Sequence, residues 1–101
     1  MKRMIRYKLK AGRVAENELY VSAVYDELRR LAPRGLRYAT FRLGDGVSFV
    51  HLVSYENEDS ARLLPTLPAF KAFTADIKDR CEELPVTEEL KESGSYGFFD
   101  A

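Results

Sequence analysis

The first segment of the chain alternates apolar with charged residues, and this alternation predicts a β-strand. Within residues 3–10, the apolar side chains Ile5, Tyr7 and Leu9 are each followed by a basic residue. A period of two places the apolar residues on one face of a strand and the charged residues on the other. We therefore expect a first strand with one buried and one solvated face.

Residues 14–32 follow a helical period instead. Their large apolar residues recur at the spacing of one buried helix stripe. The stripe comprises Leu19, Val24, Leu28 and Leu31. Acidic residues come early in this segment and two arginines come late, which suits the helix dipole. The segment predicts an amphipathic helix that ends at the Pro-Arg-Gly sequence of residues 33–35.

Residues 36–43 and 47–55 predict a β-hairpin, because Gly-Asp-Gly between two apolar runs is a strong turn signal. The second strand of this hairpin carries no charged residue on either face. One face has Val47, Phe49, His51, Val53 and Tyr55, and the other has Ser48, Val50, Leu52 and Ser54. A strand exposed to water on one side would alternate apolar with charged residues. We therefore expect this strand to be buried on both sides.

The second half of the chain predicts two helices and a last strand. Asn57 is placed to cap a short helix that runs through Leu64, and Pro68 fits the first turn of a longer helix. That helix is expected to reach about Leu84. Its apolar face would comprise Phe70, Phe73, Ile77, Cys81 and Leu84. Residues 85–90 are interpreted as a loop, and residues 95–100 as the last strand.

The element order βαββαβ predicts a single α+β domain over residues 1–101. The expected architecture is a ferredoxin-like two-layer sandwich with a four-stranded antiparallel sheet. Two helices can cover only one face of such a sheet. The second strand of the hairpin carries no charged residue on either face. Phe98 and Phe99 place a large apolar side chain on each face of the expected last strand. An open apolar face marks an interaction surface, so we expect a homodimer formed through the sheet.

The sequence Leu-Pro-Thr-Leu-Pro-Ala-Phe-Lys-Ala-Phe at residues 64–73 carries a family resemblance. Together with the element order, it resembles the dimeric α/β-barrel superfamily, and within it the antibiotic-biosynthesis-monooxygenase-like domains. The resemblance implies the ferredoxin-like fold and its pairing into a dimeric barrel. The superfamily includes quinol and polyketide oxygenases, heme-degrading enzymes and isomerases. It therefore implies more about the fold than about the chemistry.

Charge and composition narrow the range of partners. The 16 basic and 16 acidic residues cancel, so no general field attracts nucleic acid or an anionic membrane. The basic residues near the start are interpreted as the solvated face of an edge strand. Cys81 is the only cysteine, and we expect it to be a small buried residue rather than a reactive thiol. The sequence predicts no metal, no cofactor, no nucleic-acid or membrane partner, and a cytoplasmic location by default.

The candidate chemistry centres on His51, the only histidine. It is interpreted either as a general base or ligand contact, or as a buried histidine bonded to a tyrosine hydroxyl. Tyr7, Tyr38, Phe49 and Tyr55 are the candidate ligand-binding residues, forming an aromatic wall. The alternative is that these aromatic side chains are simply part of the core.

Three functions remain open from the sequence. The first is a homodimeric domain that binds a small aromatic or apolar molecule without catalysis. The second is a cofactor-independent monooxygenase for a phenolic or quinol-like substrate, with His51 as its base. The third is a stress or regulatory protein that works through dimer contacts alone. A cavity of about 300 Å³ or more beside His51 would favour the first two.

Overall fold

Four antiparallel strands form one sheet in the order β2-β3-β1-β4. The computed structural model describes residues 1–98. A short 3-10 turn, Leu64–Thr66, lies between the second and third helices. In chain order the elements are β1 (Lys2–Leu9), α1 (Val14–Leu31), β2 (Leu36–Arg42), β3 (Ser48–Tyr55), α2 (Glu58–Leu63), α3 (Pro68–Ala75), α4 (Ile77–Arg80) and β4 (Cys81–Leu90). This confirms the predicted α+β ferredoxin-like fold with a four-stranded antiparallel sheet.

The basic strand β1 lies in the interior of the sheet, between β3 and β4. The interpretation of its basic residues as the face of an edge strand was therefore wrong. Arg3 lies opposite Glu89 in the register, and Lys8 lies opposite Glu83. The Lys8 ammonium also lies 3.5 Å from a carboxylate oxygen of Glu82. Opposite charges on neighbouring strands stabilise the pairing, so the acidic strand β4 offsets the positive charge of β1.

The β2–β3 hairpin forms as predicted, and Asp45 organises its turn. The Asp45 carboxylate accepts hydrogen bonds from the Val47 amide (3.0 Å), the Ser48 amide (2.8 Å) and the Ser48 hydroxyl (2.6 Å). These hydrogen bonds, the Ser48 hydroxyl first, lower the pKa of Asp45 to about 2. The Asp45 carboxylate is therefore ionised at neutral pH and stabilises the turn. This structural role explains the residue without any role in binding.

One face of the sheet packs against the helices and forms the core. Helix α1 begins at Val14 as predicted, but Leu19 is 74% exposed, so its placement on the buried stripe was wrong. The stripe instead runs through Asn17 and Val24, both buried. Asn17 occupies an interior position because its side chain has hydrogen-bond partners there, which compensate for the burial of its amide.

The opposite face of the sheet carries no helix of residues 1–98. Phe41 of β2, Val50 of β3, Arg6 of β1 and Val86 of β4 follow one another across this face in the strand register. Phe41 is 46% exposed and Val86 is 57% exposed. We call this face, centred on these residues, the open sheet face. Its covering by a second copy of the chain stays a prediction.

The C-terminal third of the chain differs from the prediction. The long helix expected to reach Leu84 is two short helices that end at Arg80. Residues 85–90, interpreted as a loop, belong to β4. No strand forms over residues 95–98 within the described chain, and residues 99 and 100 of the predicted last strand lie outside it.

The character of β4 explains this error. It is an edge strand exposed along most of its length, so its residues lack the alternation by which strands are recognised. Pro85 was predicted to be the first residue of a loop. In the structure it lies at a register shift, where Val86 pairs with Arg6 and Glu83 pairs with Lys8. Edge strands and bulges are the places where a sheet tolerates a proline.

Candidate functional site

His51 lies in the middle of β3, on the face that packs against the helices. Its side chain is 2% exposed. In the register, Ile5 of β1 and Thr40 of β2 lie directly opposite it on the two neighbouring strands. The strand β3 that carries His51 is therefore held between the interior strand β1 and its hairpin partner β2, and this fixes the position of the residue in the sheet.

Both ring nitrogens of His51 are within hydrogen-bond distance of hydroxyl groups. Nε2 lies 2.8 Å from the Tyr7 hydroxyl oxygen. Nδ1 lies 2.6 Å from the Tyr38 hydroxyl oxygen and 3.1 Å from Oγ1 of Thr40. The arrangement matches the interpretation of a buried histidine satisfied by tyrosines. It also leaves the imidazole at the surface of a cavity, so a role in ligand binding stays a prediction.

A polar chain continues behind Tyr7 into the helices. The amide nitrogen Nδ2 of Asn17 donates to the Tyr7 hydroxyl over 3.0 Å. The guanidinium Nε of Arg80 donates to Oδ1 of Asn17 over 3.2 Å. Arg80, Asn17, Tyr7, His51 and Tyr38 thus form one continuous hydrogen-bonded series, which we call the polar chain.

Arg80, the inner end of the polar chain, is completely buried. Its Nη2 donates to the backbone oxygen of Phe73 over 2.6 Å, and its Nη1 has no hydrogen-bond partner within the described residues. The guanidinium carbon lies 4.5 Å from the centroid of the Tyr20 ring and 5.5 Å from that of Phe73. No carboxylate of residues 1–98 lies within 4.0 Å of this cation, so aromatic faces and dipoles stabilise its charge.

A cavity of about 230 Å³ opens beside His51, between the sheet and helices α3 and α4. Its wall is mainly apolar and aromatic, with a few hydroxyl groups and the imidazole. The lining residues are Ile5, Tyr7, Tyr38, His51, Phe70, Phe73, Thr74, Ile77, Pro85 and Thr87. The volume is below the roughly 300 Å³ typical of drug-sized ligand sites. It exceeds the roughly 150 Å³ of an engineered apolar cavity that binds benzene, so a single ring fits.

Burial makes the groups around this cavity electrically neutral at pH 7. It lowers the pKa of His51 to about 4, because the charged imidazolium loses its hydration. Burial likewise raises the pKa values of the Tyr7 and Tyr38 hydroxyls well above their usual value. The cavity wall therefore offers hydrogen-bonding atoms and an apolar surface, and none of its lining residues carries a formal charge at pH 7.

The structure brings together some of the predicted site residues. Tyr7 and Tyr38 line the cavity on the two sides of His51. Phe49 is buried behind Tyr7, with the two rings stacked at a centroid distance of 5.5 Å. Neither Phe49 nor Tyr55 lines the cavity, and their assignment as ligand contacts stays a prediction.

Two residues of the polar chain were not predicted from the sequence. Asn17 gave a usable signal, because it falls at helical spacing between Val14 and Val24 on the true buried stripe of α1. The sequence has no comparable signal for Arg80, because the burial of Arg80 depends on the turn of the chain from α4 into β4. Phe73 was predicted as a helix-face residue, and it also provides a cavity wall and the acceptor for Arg80.

Other site classes find no support within residues 1–98. Cys81 is buried as expected, and burial raises the pKa of its thiol, which makes it a poor nucleophile. No three His, Cys, Asp or Glu side chains of this part of the chain cluster in a way that could hold a metal ion. None of its helices combines the length and apolarity needed to cross a membrane.

Several solved structures have the same fold along most of their length. A candidate antibiotic biosynthesis monooxygenase from Bacteroides thetaiotaomicron is similar with a TM-score of 0.79 and 18% identity, over 92% of this chain and 89% of that one. Rv0793 from Mycobacterium tuberculosis gives a TM-score of 0.73 and 15% identity, over 92% of this chain and 97% of that one.

A single-site variant of SnoaB, a cofactor-independent oxygenase from Streptomyces nogalater, is also similar. Its TM-score is 0.65 at 16% identity, over 91% of this chain and 93% of that one. No family model and no curated protein matches the sequence. At identities this low, similarity establishes a shared fold and not a shared activity. The chain therefore has the fold of the antibiotic-biosynthesis-monooxygenase-like proteins, which confirms at the level of the fold the resemblance carried by residues 64–73.

Proposed function

We propose that the chain is a homodimeric domain that binds a small aromatic molecule in the cavity beside His51. The observation that carries this proposal is the composition of the cavity wall. Tyr7, Tyr38 and His51 present polar atoms on a surface otherwise built largely from apolar and aromatic side chains. A few convergent polar groups on an apolar wall are typical of small-molecule sites.

The dimensions of the cavity favour a ligand with one ring. A volume of about 230 Å³ leaves room for a benzene ring with a short substituent. The rings of Phe70 and Phe73, 6.1 Å apart at their centroids, provide an aromatic wall on the α3 side. An aromatic ligand can pack against such rings in offset or edge-to-face contact.

The proposed dimer forms through the open sheet face. Phe41 and Val86 are large exposed apolar residues on that face, and Val50 lies between them in the register. A second copy would meet this face by two-fold symmetry and bring the apolar side chains of the two copies together, with the exposed Arg6 of β1 lying among them. The pairing would protect these side chains from water and complete a barrel of two sheets.

We expect Phe41→Asp to convert the dimer into a monomer while the fold stays intact. The carboxylate would lie within the proposed interface, on the edge strand β2, and lose its hydration there, whereas in the monomer it stays in water. Sedimentation velocity at micromolar concentration measures the assembly, and circular dichroism checks the fold. A wild-type protein that is monomeric under these conditions, or a Phe41→Asp protein that still dimerises, contradicts the proposed interface.

The second candidate function is a cofactor-independent monooxygenase acting on a phenolic or quinol-like substrate. The structure of SnoaB, a cofactor-independent oxygenase, supports it through the shared fold. In this chemistry a phenol reacts directly with O₂: one oxygen atom becomes the second carbonyl of a quinone, and the other leaves as water. The reaction requires a cavity that excludes water, and the burial of His51 and Tyr7 supports such a site. His51 is the candidate base.

One experiment separates the two functions. Hydroquinone and phenol are titrated into the protein, binding is followed through the carbon-bound imidazole protons of His51, and oxygen consumption is recorded on the same samples. We expect saturable shifts of these resonances, because the cavity places the ligand against the imidazole. If the domain is an oxygenase, uptake will exceed the protein-free rate, and His51→Ala will reduce that excess by about 10²-fold or more.

The control for this experiment is Tyr96→Phe, since Tyr96 is 96% exposed. Binding without oxygen uptake supports the binding domain. Uptake that persists in His51→Ala removes His51 from the catalytic role, and the absence of any saturable shift contradicts the binding proposal. The cytoplasmic location and the absence of nucleic-acid and membrane partners stay predictions from the sequence.

A further inference from the structure

Thr40 links His51 to a further tyrosine that is not part of the polar chain. The Thr40 hydroxyl oxygen lies 3.1 Å from Nδ1 of His51 and 2.8 Å from the hydroxyl oxygen of Tyr25 on helix α1. The Tyr38 hydroxyl, 2.6 Å from the same Nδ1, also forms a hydrogen bond with the Thr40 side chain. Both contacts that Nδ1 makes within residues 1–98 therefore lead to Thr40, either directly or through Tyr38.

A second cavity, of about 280 Å³, opens where Thr40 meets Tyr25. We call it the outer cavity. Its wall includes two exposed charged residues, Glu18 and Arg42, and a polar cavity of this size admits water. It shares no lining residue with the cavity beside His51. Thr40 and Tyr25 therefore connect the imidazole to solvent through a separate opening. The residues that line the outer cavity are Glu18, Val21, Tyr25, Thr40, Arg42 and Phe49.

The other ring nitrogen of His51 has no comparable outlet within the described chain. Nε2 contacts the Tyr7 hydroxyl, which is bonded to Asn17 and through Asn17 to Arg80. Tyr7, Asn17 and Arg80 are all buried, and a guanidinium has no lone pair with which to accept a proton. This branch holds Tyr7 in place and leads to no exposed surface. The branch through Thr40 does lead to one.

We propose that Thr40 and Tyr25 form a proton path between His51 and the solvent of the outer cavity. Hydroxyl groups suit this role because each can accept a proton on its oxygen while it donates its own. A proton that leaves Nδ1 passes to Thr40, the Thr40 proton passes to Tyr25, and the Tyr25 proton passes to water. Thr40 and Tyr25 each gain one proton and lose one, so water receives the proton that His51 has lost.

The path has its largest effect when a ligand fills the cavity beside His51. A ring bound there separates the buried imidazole from water on that side. A base that has taken a proton from a phenol can act again only after it has released that proton. In catalysis this role rests on the second candidate function, with His51 as the base. Thr40 and Tyr25 do not line the ligand cavity, and they act as positioning residues through His51.

The test measures how fast the ring N–H proton of His51 exchanges with water. The chain has one histidine, so nitrogen-15 NMR identifies its signal without ambiguity. Toluene, which has no exchangeable proton, is added to fill the cavity, and the carbon-bound imidazole protons report its binding. We expect wild-type exchange to continue in the presence of toluene. In Thr40→Val with toluene, exchange should slow by about tenfold or more, because the proton then leaves only when the structure opens locally.

Thr40→Ser is the matched control for Thr40→Val. It keeps the hydroxyl and loses the methyl group, whereas Thr40→Val loses the hydroxyl and keeps the shape of the side chain. We expect Thr40→Ser to exchange close to the wild-type rate. Tyr25→Phe removes the outer hydroxyl of the path and should also slow the exchange. It provides the same test if Thr40→Val does not fold, and circular dichroism checks the fold of each variant.

The outcomes separate this inference from the proposed binding function. Slow exchange in Thr40→Val and Tyr25→Phe, with exchange retained in Thr40→Ser, supports the path. Exchange at the wild-type rate in a folded Thr40→Val or Tyr25→Phe protein overturns it, and so does an equal slowing in Thr40→Ser. If toluene causes no saturable shift, binding of a single apolar ring at this cavity fails. The path is then judged by the same comparison of variants in the free protein.

Discussion

Phe49→Asp is expected to abolish folding. Phe49 is 1% exposed and stacks on Tyr7 in the core, so the substitution removes a buried aromatic side chain and leaves a carboxylate without a partner. Removing the ring alone costs roughly 3–5 kcal/mol, and burying an unpaired charge costs several more. A domain of this size has a stability of roughly 5–15 kcal/mol. Circular dichroism and proton NMR should show an unfolded chain.

Phe41→Asp is the matched control for this prediction. It makes the same exchange in the partner strand β2, on the opposite face of the sheet, where the side chain is half-exposed. We expect it to fold. A folded Phe49→Asp protein with the wild-type spectrum contradicts the placement of Phe49 in the core. The pair of variants therefore separates the role of the core face in folding from the role of the open sheet face in the proposed dimer.

The stability of the fold is expected to fall by about 3 kcal/mol between pH 6.5 and pH 4 because of His51 alone. The unfolded chain binds a proton at the usual histidine pKa of 6.5, whereas burial lowers the pKa in the folded state to about 4. Between these values the unfolded state holds more protons, so acid favours unfolding. The stabilisation is complete above pH 6.5 and is lost as the pH falls toward 4. Urea unfolding across this range measures it.

His51→Gln provides the reference for the pH effect. Carboxylates also titrate at the acidic end of this range, and the difference between the two proteins isolates the contribution of the histidine. We expect the wild-type free energy of unfolding to decline more steeply than that of the variant. Parallel curves, or an imidazole that titrates near pH 6.5 in the folded protein, would contradict the burial of His51 in a dry site.

The sequence was sufficient to predict the architecture, because its strongest signals come from elements with one buried face. Strand β1 and the β2–β3 hairpin alternate with a period of two or carry a diagnostic turn, and α2 has a capping Asn57 with the expected hydrogen bond to the Ser60 amide. The break after the short helix and the start of the next helix at Pro68 also occur at the prolines from which they were predicted. These features depend on residues that are close together in the sequence, so the sequence alone was sufficient to predict them.

The errors fall where the neighbours of a segment decide its structure. Strand β4 has exposed charged residues and a proline, and its strand conformation depends on the backbone of β1. Leu19 looks like a core residue from its side chain, yet Asn17 takes the interior position because Tyr7 and Arg80 provide its partners. Polar positions of this kind depend on contacts distant in sequence, and a single-sequence pattern does not contain them.

The candidate site was predictable in part. A central histidine on an apolar strand and two tyrosines on neighbouring strands were identified from alternation alone, and Tyr7 and Tyr38 do contact His51. The cavity was not predictable, because its wall also uses residues of α3 and β4 whose boundaries differ from the prediction. The polar chain also depends on Arg80, whose burial follows from the turn of the chain from α4 into β4.

The acidic edge strand has a consequence for how the protein avoids aggregation. Strand β4 presents an unpaired backbone edge, yet Pro85 lacks an amide proton, the strand is irregular there, and glutamates flank both sides. A neighbouring chain that tried to extend the sheet would meet repulsion and a gap in the ladder. Growth into fibrils by edge addition is thereby disfavoured, whereas the proposed dimer would form through the face of the sheet, where a two-fold pair is closed and cannot propagate.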